Sequence, residues 1–136
     1  RPDVLDKLGL NEAIEWHAGE FEKRSKIKCI TKTCTDEINI TPEKAISIFR
    51  IYQETLTNAA RHSGAEEIKI DLTVQNGWLS LSIADNGRGI TDAEINKGTS
   101  LGILGMKERV LILGGLCRIH GEKGKGTTVL IQVPLN

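Results

Sequence analysis

Residues 67–84 carry the pattern that most restricts the fold. Ile68, Ile70, Leu72 and Val74 alternate with polar residues, and after Asn76-Gly77 the alternation resumes at Leu79, Leu81 and Ile83. A period of two puts each apolar set on one face of a strand. Asn-Gly suits a two-residue hairpin turn, in which both central residues take positive φ. The segment is expected to form an antiparallel hairpin with one dry face, and that face needs a second layer over it. Two helical stripes can supply the cover. Ala45, Phe49, Tyr52, Leu56 and Ala59 follow Thr41-Pro42, a capping hydroxyl with proline at the first helical position. Ile103, Met106, Val110 and Leu113 form the second stripe.

The remaining elements fall around this hairpin. Residues 1–10 read as a lead-in segment whose Leu5, Leu8 and Leu10 can dock on the domain. A helix is expected over 11–25, with Asn11 as its cap and Leu10, Ile14, His17 and Phe21 on one stripe. A strand is expected over 27–35 and a helix from Thr41 to Arg61, ended by Ser63-Gly64. Residues 86–101 read as a mobile glycine-rich loop, and 102–113 as a helix stopped by Gly114-Gly115. A last hairpin, 116–121 with 127–133, closes the chain. The order α-β-α-β-β-loop-α-β-β predicts an α+β two-layer sandwich. It has a mixed, mainly antiparallel sheet with three helices on one face.

Composition matters chiefly for what it excludes. Lys plus Arg and Asp plus Glu number 18 each, so no global field favours nucleic acid or an anionic membrane. Two Trp, one Tyr and two Phe are too few for a base-stacking platform. No apolar run approaches the ~18 residues of a membrane span. Cys29, Cys34 and Cys117 lack zinc spacing and are expected to be reduced thiols. The opening at Arg1-Pro2, without Met, is expected to reflect excision from a longer protein.

Two clusters carry chemistry. Glu54-Thr55-Leu56-Thr57-Asn58 lies late in the second helix, with Glu54, Asn58 and Arg61 opposite the core stripe. Asp85-Asn86-Gly87-Arg88-Gly89-Ile90 ends the second hairpin strand. Taken singly, the first is a solvated helix face and the second a tight turn. Together they suit an ATP site. A lone carboxylate at a strand end suits a purine amino group, and glycines let a ligand approach the backbone. A helix amide oxygen suits a Mg²⁺ bridged to phosphates. Gly102 opens the third helix, where free N–H groups attract phosphate.

These motifs resemble the catalytic, ATP-binding domain of sensor histidine kinases, in the gyrase/Hsp90/histidine kinase/MutL superfamily with its Bergerat-type fold. Gln53 to His62 resembles the N box, and Asp85 to Ile90 the G1 box. Ser100-Leu101-Gly102-Ile103-Leu104-Gly105-Met106 resembles the G2 box, and Gly126-Thr127 a later Gly-Thr element. Arg1-Pro2, Leu5 to Leu10, Trp16, Phe21 and Gly105 to Val110 resemble the nitrate-sensor subfamily. The resemblance implies ATP and Mg²⁺ as cofactors. It implies that Asp85 reads adenine with support from Thr127, and that Gly87 and Gly89 turn the chain against the base. Asn58 would be the metal ligand, Arg61 would offer charge to the phosphates, and His62 would lie beside them. Gly102 and Gly105 would present N–H groups. Ile90, Leu101 and Met106 complete the cofactor-binding set. Glu54 and Asn58 are the catalytic candidates, and Glu54 has two roles open: proton acceptor, or an orienting contact near the metal.

The resemblance also implies partners. These are an upstream dimerisation domain carrying the phosphoacceptor histidine, a response-regulator receiver domain, and a second copy in a full-length homodimer. The isolated chain is expected to be a monomer. His17, His62 and His120 are followed by Ala18, Ser63 and Gly121, whereas the family's acceptor precedes an acidic residue. Residues 1–10 would then link the upstream domain to a catalytic domain at 11–136. The domain would be cytoplasmic, in a parent either soluble or membrane-anchored. An anti-sigma-factor serine kinase and a gyrase- or MutL-like ATPase module are the alternatives.

Overall fold

The computed structural model describes residues 3–34, 36–97 and 102–136. Its elements are α1 (Asp3–Ser25), β1 (Lys28–Lys32), α2 (Pro42–Asn58), a π-helical turn (Ala59–Ser63), β2 (Glu67–Gln75), β3 (Trp78–Asp85), α3 (Asp92–Lys97), α4 (Ile103–Ile112), β4 (Leu116–Glu122) and β5 (Gly126–Pro134). One five-stranded sheet runs β1-β2-β3-β5-β4. The β1–β2 pair is parallel and the other pairs are antiparallel.

The hairpin forms as its pattern requires. Asn76 and Gly77 take φ of 53° and 77°, the double positive φ of a type I′ turn. Register then aligns the apolar sets across strands. Leu72 faces Leu81, and Leu81 faces Ile131; Ile70 faces Ile83, and Ile83 faces Val129. This face is buried, and α1, α2 and α4 close one hydrophobic core over it. Val74 is the exception at 39% exposure; it lies beside the Asn76-Gly77 turn, at the margin of the covered face.

Thr41 caps α2 by accepting from the Lys44 N–H, with Pro42 in the first turn. All five stripe residues of α2 are buried. His17 joins the same core: Phe21, Phe49 and Tyr52 surround its ring. Its Nδ1 lies 3.0 Å from the Tyr52 hydroxyl. Burial, then the charge of Arg24, pulls the His17 pKa below its ordinary value.

Several boundaries differ from the sequence expectation. The lead-in is already helical from Asp3, and Gly9 breaks the helix at φ 80°, ψ 171°. Leu5 and Leu10 enter the core, while Leu8 stays 41% exposed. The Asn11 amide donates to the carbonyls of Cys34 and Asp36, so it fastens the chain that follows β1. β1 ends at Lys32, earlier than the alternation suggested. The stretch 86–101 contains a helix, α3, where a featureless loop was expected. Thr91 and Glu94 cap it reciprocally: Glu94 N–H donates to Thr91 Oγ1, and Thr91 N–H to Glu94 Oε1. Of the stretch expected to be mobile, residues 98–101 lie outside the described residues, and 86–91 are held by hydrogen bonds.

Leu81 is fully buried between Leu72 and Ile131. Leu81→Ala is expected to cost about 2–5 kcal/mol, read as a lower urea midpoint with an unchanged slope.

Candidate functional site

The period-two pattern of β3 does not stop at its last apolar residue. Leu79, Leu81 and Ile83 point into the core, and Asp85 is next on the same face. A carboxylate thus ends an otherwise apolar file. Register extends it into a row, Ile68 on β2, Asp85 on β3, Thr127 on β5 and Gly121 on β4. Above this end of the sheet, the close of α2 and the start of α4 leave a cleft.

Asp85 is held from one side. Its Oδ1 accepts from the Gly87 N–H at 2.8 Å and the Thr127 N–H at 3.3 Å. Its Oδ2 accepts nothing from the described residues. Burial pushes the Asp85 pKa up, against the two backbone hydrogen bonds and the charge of Arg88, which pull it down. The Thr127 hydroxyl oxygen accepts from the Ile90 N–H at 2.8 Å. Its proton therefore remains for a contact beside Asp85.

The loop 86–90 is pressed between two neighbours. A Cβ on Gly87 would stand 2.3 Å from the Ser63 carbonyl oxygen. On the far side, a Cβ on Gly121 would stand 1.9 Å from the Ile90 carbonyl oxygen. Real side chains cannot occupy either place, so glycine sets the loop's approach to the sheet end. Asn86 assists, its side-chain oxygen accepting from the Glu66 and Glu67 N–H groups.

Arg88 ties the surrounding elements together. Its N–H donates to the Ser63 carbonyl and its Nε to the His62 carbonyl, each from the π-helical turn. These are the orphan acceptors of a helix end. Its two Nη atoms donate to Glu94 at 2.9 and 2.8 Å, joining α3. The Arg88 carbonyl accepts from Gly124 in the β4–β5 turn. The pairing with Arg88, then the Thr91 N–H, holds the half-buried Glu94 carboxyl down to about 2.

Asn58, His62, Asp85, Gly89, Ile90, Met106 and Thr127 all line the cleft. Gly87 lies beneath it, against Ser63. Asn58 is half-buried and Arg61 exposed; Arg61 does not line the cleft. Gly102 caps α4 in a left-handed conformation at φ 66° and, being glycine, gives its first-turn N–H groups no side-chain cap. Gly105 is one residue before the cleft-lining Met106. Glu54 is not among the residues that line the cleft; it pairs with Arg109 of α4 at 2.9 Å. Leu101 lies outside the described residues.

Sequence reasoning passed over other lining residues: Thr55, Ala59, Ser63, Ile83, Arg88, Ile103, Ile119 and Val129. Thr55, Ala59, Arg88 and Ile103 lie within the motifs themselves, and two more carried a signal of another kind. Ile83 and Val129 are the period-two neighbours of Asp85 and Thr127. Ile119 and Gly121 depend on the β4–β5 register, which the sequence leaves unspecified. Among the described residues no cluster of three His, Cys, Asp or Glu could hold a metal ion. No described helix is long and apolar enough to cross a membrane.

The family model for histidine kinase-, DNA gyrase B- and HSP90-like ATPases matches residues 43–136, from the first turn of α2 to the C-terminus. The chain belongs to this ATPase family. Relatives of the ATPase domain include the signal transduction histidine-protein kinase/phosphatase DegS of Bacillus subtilis (strain 168). It is 36% identical over 100% of this chain and 37% of that protein. The oxygen sensor histidine kinase NreB of Staphylococcus carnosus (strain TM300) is 30% identical over 99% of this chain and 39% of that protein. Among solved structures, the Erythrobacter litoralis EL346 blue-light activated histidine kinase matches 93% of this chain and 42% of that chain. Its TM-score is 0.79 at 25% identity. The ATPase domain thus spans well under half the length of these relatives. The α+β sandwich is the fold they share with it, and the family implies ATP as the ligand class.

The burial of Asp85 is also expected to affect stability. Its folded pKa is raised, so the folded domain holds the proton more tightly than the unfolded chain. The penalty is absent below the unfolded carboxyl's pKa and sets in as pH rises through the folded one. Asp85→Asn keeps an oxygen for Gly87 and Thr127 and removes the charge. It is expected to unfold at higher urea than the parent at neutral pH, with the difference shrinking in acid.

Proposed function

We propose that this domain binds Mg-ATP and donates the γ-phosphate to a histidine of a dimerisation domain preceding it, at the first step of a two-component relay. The observation that carries the reading is the half-buried Asp85 carboxylate. Its Oδ1 is fixed by backbone while Oδ2 is left to a ligand beside an apolar wall. An adenine amino group would donate to Oδ2, and the Thr127 hydroxyl proton would meet the neighbouring ring nitrogen directly or through a water. Guanine carries a carbonyl where adenine carries the amino group. Two acceptors would then face each other, so the pocket discriminates by leaving both unpaired.

Asn58 sits one helical turn beyond Glu54, on the wall of the cleft. With no protein cluster able to hold a metal among the described residues, a cation here would rely on phosphates, waters and one amide oxygen. That donor set suits Mg²⁺, which would neutralise phosphate charge. The α4 N-terminus, opened by Gly102, would receive phosphate oxygens on its uncapped N–H groups. Arg61 and His62 add donors near the same end of α2.

The relatives support the transfer half of the reading, since DegS, LiaS and NreB are named as histidine kinases. The chain's own histidines do not fit the acceptor role. His17 is packed among aromatic rings, and none of the three precedes an acidic residue. The partners are then the upstream dimerisation domain, a receiver domain and a second copy of the full-length protein. The domain itself works in the cytoplasm.

The primary test is nucleotide binding. Asp85→Asn presents a donor toward adenine and is expected to weaken ATP binding by about ten- to a hundredfold, the equivalent of roughly 1.5–3 kcal/mol. The parent should bind GTP far more weakly than ATP, and equal affinities in calorimetry would refute the base-reading role. Asn58→Ala should stay folded and lose Mg-dependent affinity. For transfer, γ-labelled ATP is added to the chain with and without the upstream helical domain. Label should appear on that domain alone and be lost in acid. Acid-stable label on serine of another protein would overturn the histidine reading.

A further inference from the structure

We infer that Glu54 and Arg109 form one positioning device that sets α2 against α4, and that Glu54 does not serve as the proton acceptor. This deepens the phosphotransfer reading and rests on it. The two helices bound the cleft from opposite sides, α2 with Thr55, Asn58 and Ala59, α4 with Ile103 and Met106. Their packing is not shared evenly, because α2 packs against α1 and β3 while α4 packs on β4 and β5. Among the described residues, the Glu54–Arg109 ion pair is a polar contact that joins them directly.

Its geometry is fixed at both ends. Arg109 Nη2 lies 2.9 Å from Glu54 Oε2 and 3.2 Å from Oε1, so the guanidinium faces both carboxylate oxygens. Arg109 Nε donates to the Gly105 carbonyl one turn earlier, which holds the side chain along α4. On α2, Glu54 is one turn before Asn58; on α4, Arg109 is one turn after Met106. Residues three or four apart share a helix face. A shift at the pair is therefore passed directly to residues on the cleft wall.

The pair's exposure argues against a stabilising purpose. The two side chains are 43% and 48% accessible, and ion pairs this exposed add little to folding. Placement of reacting groups, by contrast, is sensitive to displacements of about 1 Å. A carboxylate with a guanidinium across both oxygens is also poorly disposed to take a proton from a substrate. The pair is therefore suited to alignment rather than to stability or proton transfer.

The proposal separates cleanly from a base role, because a positioning pair can be reversed and a base cannot. In the full-length protein, Glu54→Ala and Arg109→Ala are each expected to slow phosphotransfer about tenfold or more. The double alanine variant should be no slower than either single one, the non-additivity of coupled residues. The reversal Glu54→Arg with Arg109→Glu should return the rate to within about threefold of the parent, with ATP affinity similar throughout. Additive single losses, or a reversal as slow as the double alanine variant, would overturn the pairing. ATP titration of the parent reads the adenine pocket separately. Failure of the parent to bind would sink the ATP reading, whereas normal binding with an unrecovered reversal sinks only this inference.

Discussion

The structure depends on a carboxylate placed where the core pattern calls for an apolar side chain. Asp85 continues the buried file of β3, so the sheet end cannot close over it without desolvating a charge. Two backbone N–H groups compensate one oxygen, and the cleft above leaves the other accessible. The raised pKa of Asp85 shows that burial outweighs this compensation. A ligand offering a donor would complete what the protein leaves half done. The core geometry and the binding chemistry are thus two consequences of one residue's position.

Holding that carboxylate requires backbone to approach backbone. Gly87 against Ser63 and Gly121 against Ile90 are contacts that exclude any Cβ. The π-helical turn at Ala59–Ser63 provides the other half of the arrangement. Hydroxyls of Thr55, Thr57 and Ser63 bond back to carbonyls four residues earlier, a habit that bends helices. The turn directs the carbonyls of His62 and Ser63 toward Arg88, which satisfies both. Through Glu94 the same arginine reaches α3, and through its own carbonyl the β4–β5 turn. The adenine-reading loop proposed here is therefore braced from three directions before any nucleotide arrives.

The two walls of the cleft are built differently. The α2 wall is continuous with the core, its stripe buried from Ala45 to Ala59. The α4 wall buries Ile103, Met106 and Val110 but leaves Leu104, Leu111 and Ile112 largely exposed. A deeply packed wall beside a more lightly packed one suits a site that must admit and release a ligand.

Much of the fold was legible because its signals are local. Period-two alternation, the Asn76-Gly77 turn, the Thr41-Pro42 cap and the helical stripes each act within a few residues, so sequence alone determines those elements. α3 was equally legible in Thr91-Asp92-Ala93-Glu94, a capping box hidden by the polar composition around it. The motif spacing also marked Asp85 and Asn58 as members of one site. Tertiary structure alone decided which neighbours they keep. The row from Asp85 to Thr127 and Gly121 follows from the register of β3 with β5 and of β5 with β4. The bonds from Arg88 to His62 and from Arg109 to Glu54 join residues 26 and 55 apart in the chain. Such contacts exist only after the sheet and helices have packed, because no local preference of either partner encodes the distance between them.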